Sequence, residues 1–110
     1  MPKAKNNPKP TIDDVCEICG APYAAFHEIF FGTANRQKSI KWGMQKRLCC
    51  FHHNDQSNRA SNPHYNKRVD QNLREEYQER FEAQRVCEGM TASDARKLFM
   101  AEFGRNYLDD

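Results

Sequence analysis

The sequence predicts a small α+β domain organised around bound metal, with a zinc knuckle, two short strands and helices filling its C-terminal part. Three observations carry that prediction. Residues 48–64, LCCFHHNDQSNRASNPH, gather two cysteines, three histidines, an aspartate and three asparagines into one turn-rich stretch. Upstream, Cys16 and Cys19 stand three apart and are followed by His27 and Glu28. Downstream, Val69, Leu73, Tyr77 and Phe81 recur every fourth residue among polar neighbours, the pattern of an amphipathic helix. Thiolates and imidazoles bind divalent metals closely and at fixed geometry, so the two clusters together point to metal.

The bounds are those of a single domain. A chain of 110 residues lies near the lower end of what one hydrophobic core can hold together. With 38% hydrophobic residues and a mean hydropathy of −0.98, that core should be thin, and a metal staple would strengthen it. Residues 1–11, rich in proline and lysine, bury too little apolar surface to offset ordering and read as a disordered basic arm. The domain proper should span 12–110, with a helical extension over about 66–110. The N-terminal stretch has no apolar run and carries no secretory signal, and no segment is long and apolar enough to cross a bilayer. The expectation is a cytoplasmic protein, in a compartment where five cysteines read as metal or redox chemistry rather than a disulfide framework.

Residues 14–20, DVCEICG, have the form of a zinc knuckle: two cysteines on a tight turn closed by a glycine aim both sulfurs at one point. A redox reading needs the cysteines at a helix start in a βαβ unit, whereas a β-like run follows here. That run, 23–31, is aromatic and β-branched enough for a strand, and it carries His27 and Glu28 among apolar neighbours, where unpaired polar groups are costly. Residues 32–43 read as a loop rich in turn formers and positive charge, and 44–49 as a second strand. Cys49 and His52 supply the other half of a four-ligand site with Cys16 and Cys19; Cys50 with His53 is the competing register. A closed four-ligand site is structural zinc with no position left for chemistry. His27, His53 and His64 then remain, enough for a second, open site; the plain alternative for His64 is a solvent-exposed histidine in a polar loop.

A helix should cover 65–84, and Thr91-x-x-Asp94 resembles a capping box opening a second helix that ends by Gly104. Cys87, between them, reads as a spare thiol. Net charge is only +2, but Arg36, Lys38, Lys41, Lys46 and Arg47 crowd one stretch, the footprint of a phosphate-binding face or simply a solvated loop.

In this order the motifs resemble small phage-encoded HNH (ββα-metal, His-Me finger) endonucleases, close to recombination-enhancement, RecA-dependent nucleases. The matching elements are Cys16 and Cys19, HEIF (27–30), GTANR (32–36), LCCFHH (48–53), His64 and the pair Phe81-Glu82. The resemblance implies a hairpin and a helix clamping one Mg²⁺ or Mn²⁺ ion beside a structural Zn²⁺, DNA as substrate, and a recombinase filament as a candidate partner. It implies a bacterial host cytoplasm as the setting. His53, at the start of the helix, and His64 match metal-binding positions. His27-Glu28 departs from the usual pair: either His27 is a ligand and Glu28 holds the base position, or His27 is itself the base, as suits an imidazole near neutral pH. Gly43 occupies about the place of the family's asparagine, leaving Asn35 or Asn54 as candidates. The competing function is a non-catalytic zinc module that binds nucleic acid or protein through the same basic loop. It would leave His27, Glu28, His53 and His64 without a purpose.

Overall fold

The structure, a computed structural model, describes residues 9–53, 55 and 57–108. Residues 1–8 of the expected arm, and the candidate Asn54, lie outside the described residues. Two strands, β1 (Ala25–Glu28) and β2 (Gln45–Leu48), pair antiparallel and set His27 opposite Lys46 and Phe26 opposite Arg47. A short helix, α1 (Arg36–Trp42), lies between them in sequence; a single turn, α2 (Cys50–His53), follows β2. Two longer helices complete the fold, α3 (Lys67–Cys87) and α4 (Ala92–Phe103). The result is a small α+β fold with a two-stranded sheet.

Three expectations change here. The loop expected over 32–43 contains α1: residues 36–42 hold neither glycine nor proline, and Gly43, left-handed at φ 71°, closes the helix where a side chain would strain. The expected strand 23–31 shortens to four residues. Its continuation is captured by α1, because the fully buried Ser39 Oγ accepts from Phe30 N–H (3.1 Å) and donates to Phe30 C=O (2.7 Å), replacing a ladder partner. The expected helix 65–84 starts at Lys67, where the Asn66 side chain accepts from Arg68 and Val69 N–H. Thr91 Oγ1 accepts from Asp94 N–H as the capping signal predicts, and α4 stops at Gly104.

Most of the apolar core lies at the C-terminal end. Phe30, Tyr77, Phe81, Phe99, Phe103 and Tyr107 are buried together, with Trp42 and Leu73 packed against them. Ile29 and Phe30 bring the end of β1 into this core, so the strand carrying His27 is fixed by α3 and α4. Buried Gln78 holds the tail, accepting from Tyr107 N–H (2.7 Å) and donating to Asn106 Oδ1 (2.8 Å). The knuckle end has only Cys16, Ala24 and Leu48 as a core.

Candidate metal centres

The first centre joins four side chains from three places in the chain. Gly20, at φ 77°, closes the knuckle turn, its N–H donating to Cys16 C=O (2.9 Å), while Cys16 N–H donates to Ala21 C=O. Cys49 follows β2, and α2 turns His52 back beside it. Cys19 Sγ lies 3.6 Å from Cys49 Sγ; His52 Nδ1 lies 3.4 Å from Cys49 Sγ and 3.7 Å from Cys16 Sγ. A tetrahedral zinc with bonds of about 2.3 Å to sulfur and about 2.0 Å to nitrogen requires edges of about 3.5–3.8 Å. The donor set and its spacing fit such an ion, and the four residues could hold a metal such as zinc. Burial works against a charged Cys16. The N–H groups of Cys19, Cys49 and Ile18 nonetheless bring its thiol down to about 6, so it stands ready as thiolate. The cluster uses Cys49 and His52; Cys50 is exposed and His53 faces elsewhere.

The second centre is made of imidazoles. His27, His53 and His64 have ligand atoms within 4.8 Å of one another and ring centroids 4.8–5.1 Å apart. The closest pair is His53 Nε2 and His64 Nε2 at 3.1 Å, about the separation of two nitrogens sharing one ion. His53 lies at the end of α2 rather than the start of a long helix, because α3 begins only at Lys67. His27 is 1% exposed, and its buried Nε2 has no hydrogen-bond partner among the described residues. Burial first, then the neighbouring histidines and Arg74, push His27 down to about 3; burial and His64 push His53 to about 4. His64 is also lowered by burial, against the pull of Asp70 and Glu28. All three therefore stand neutral near pH 7, the form in which imidazole binds a metal or accepts a proton. A buried orphan nitrogen beside two clustered imidazoles is the kind of donor set a divalent ion satisfies.

Residues around this centre divide into supports and open charges. Glu28, next along β1, is held by Arg36 (3.0 Å) and lies close enough to His64 for its charge to act there. Asn35 stands at the N-cap of α1 and makes no side-chain cap bond. Lys41 is drawn to Glu102 (3.2 Å), which also accepts from Trp42 Nε1 (2.7 Å), and Lys38 adds charge to the same carboxylate's surroundings. Arg47 is spent inside the fold: it donates to Ala24 C=O (2.7 Å), pairs with Asp14 (3.3 Å) and lies 4.0 Å over the Phe26 ring. Lys46 makes no ion pair among the described residues. Of the five basic residues expected to meet phosphate, Arg36 and Lys46 are the two joined to β1 at the histidine, Arg36 through Glu28 and Lys46 as the sheet partner of His27.

Two supports escape sequence reasoning. Asn62 is fully buried and its Oδ1 accepts from His64 N–H (3.1 Å), orienting the loop that presents His64, while its Nδ2 has no partner among the described residues. In sequence it is one asparagine of three in a polar loop. Arg74 is fixed by both oxygens of Asp70 (3.0 and 3.1 Å) and donates to Tyr107 Oη (2.8 Å). It lies over Phe31, which meets the rings of both His27 and His64. Comparison with known proteins brings no relative: no family model, curated protein or solved structure matches this chain.

Proposed function

We propose that the chain is a metal-dependent endonuclease of the HNH (ββα-metal) kind, hydrolysing DNA phosphodiester bonds, with zinc in the Cys16/Cys19/Cys49/His52 site as a structural staple. The observation that carries this reading is the second cluster: three neutral imidazoles, two of them 3.1 Å apart and the third with an orphan buried nitrogen. A purely structural zinc module has no use for it.

His53 and His64 are the residues that would hold the catalytic ion. Such an ion supplies charge stabilisation to the scissile phosphate and the leaving oxygen. All-nitrogen donors suit Mn²⁺ and later first-row ions better than Mg²⁺, which prefers oxygen. His27 is proposed to take a proton from the attacking water at Nε2; the water oxygen then bonds to phosphorus as the bond to the leaving oxygen breaks. Burial keeps His27 unprotonated but, at about 3, also makes it a weaker proton acceptor than a free imidazole, so the role needs the bound ion to acidify the water. Arg36 and Lys46 are proposed to hold the flanking phosphates, contacts that position a strand without reading its sequence. Asn62 fixes His64, and Glu28 fixes Arg36. A recombination role and recruitment by a recombinase filament rest on the family resemblance alone.

The test is nicking of supercoiled plasmid by zinc-loaded protein with Mn²⁺ or Mg²⁺, beside His27→Ala, Glu28→Ala and an EDTA control. The proposal expects metal-dependent nicking that His27→Ala abolishes and Glu28→Ala weakens. Retained Mn²⁺ binding in His27→Ala identifies the base, whereas lost binding makes His27 a third donor beside His53 and His64. A folded, zinc-loaded protein that never cuts, even with a recombinase filament on the DNA, favours the binding-module reading.

A further inference from the structure

The histidine centre grades from buried to exposed. His27 forms its buried floor, His53 is half-buried, and His64 is exposed. Each of the two segments that carry the outer histidines also carries an exposed aromatic ring: Phe51, 51% exposed, two residues before His53 with its ring against His52 (5.1 Å), and Tyr65, 36% exposed, directly after His64. Neither ring belongs to the core cluster. The two supporting segments are tied together, because Asn58 Nδ2 donates both to Phe51 C=O (2.7 Å) and to Ser61 Oγ (2.7 Å). Tyr65 N–H in turn donates to Asn62 C=O, the residue that orients His64. The exposed Arg59 guanidinium sits 5.3 Å from the Tyr65 ring, adding positive charge at the same edge.

Exposed aromatic rings, here one with a cation beside it, are how proteins grip unpaired bases: the ring stacks on the base and the cation meets its phosphate. In an intact duplex the base faces are already stacked and out of reach. We propose that Phe51 and Tyr65 form a stacking platform for unpaired bases, so that the strand presented to the histidine centre is single-stranded or locally opened. The proposal rests on the nuclease reading for its substrate and adds the strand form, with Arg59 as the phosphate contact beside Tyr65.

Binding tests the platform apart from cutting. Fluorescence anisotropy of a labelled single strand, and of the duplex of the same sequence, is measured on the zinc-loaded chain without added Mn²⁺ or Mg²⁺. The variants are Phe51→Ala, Tyr65→Ala and Tyr65→Phe, with zinc content measured for each. The platform predicts that each alanine weakens single-strand binding between about fivefold and a hundredfold, the range for losing one stacked base. Duplex binding should change less than about twofold, and Tyr65→Phe should bind as the parent does. Equal losses on both forms, no loss on either, or no single-strand binding by the parent chain would overturn it. Should Phe51→Ala lose zinc, because its ring packs on His52, the Tyr65 pair decides alone. Ring-dependent single-strand binding without any cutting in Mn²⁺, even with a recombinase filament on the DNA, sinks the nuclease reading and leaves the platform; cutting with ring-independent binding does the reverse.

Discussion

Lys46 and Arg47 are adjacent in the chain and face different tasks. Lys46 lies opposite His27 in the sheet, whereas Arg47 closes the strand edge against Asp14, Ala24 and Phe26. Arg47→Ala should therefore cost stability, about 1–3 kcal/mol for hydrogen bonds to a charged group, and lower the melting temperature by several degrees. Lys46→Ala should leave melting nearly unchanged and weaken DNA binding; thermal melts and anisotropy on the same samples separate the two. The histidines add a pH dependence. Their folded values, about 3 for His27 and about 4 for His53, lie below the ordinary 6.5, so the unfolded chain takes up protons that the fold refuses. Without added divalent ion, stability should be level above about pH 6.5 and fall as pH drops toward about 4. Urea unfolding over that range, where zinc content holds, checks it; a flat or rising stability would contradict the burial of His27.

At the scale of elements, α1 does the unexpected work. Ser39 satisfies both backbone groups of Phe30, so Ser39→Ala strands a buried N–H and C=O and should cost about 1–3 kcal/mol in denaturant unfolding, against under about 0.5 for an exposed serine such as Ser93. The elements that periodicity can see were legible in the sequence. The stripe through Tyr77 and Phe81 became α3, Thr91 caps α4, and Cys16, Cys19, Cys49 and His52 converge as their spacing implied. What was not legible depends on tertiary contact. The helical turns of 36–42 look like a charged loop until Ser39 and Trp42 find partners, and Arg47 reads as a free cation until the strand edge folds around it. Among the supports of the second centre, Asn62 and Arg74 carry no motif, since their importance lies in what they touch.

Over the whole molecule the two ends are held by different physics. The C-terminal end is held by aromatic packing around Phe30, Phe81 and Phe99; the knuckle end buries Cys16, Ala24 and Leu48 beside four residues that could hold a metal, and on the proposed reading that ion holds it. Chelation should therefore speed amide exchange across residues 14–24 while α3 and α4 stay protected, a contrast that hydrogen-exchange mass spectrometry reads directly. The histidine centre sits between these ends, with His27 anchored through β1 to the aromatic core and His53 carried on α2 next to His52 of the knuckle. Loss of zinc should then loosen the second centre as well as the first. The most direct measurement of the two-centre account is the metal count by native mass spectrometry in excess Mn²⁺, for the parent chain, His64→Ala and Cys49→Ser. The account predicts one tightly held zinc plus one exchangeable ion in the parent, only the zinc in His64→Ala, and loss of the zinc in Cys49→Ser. A parent chain that takes up zinc and no second ion would contradict it.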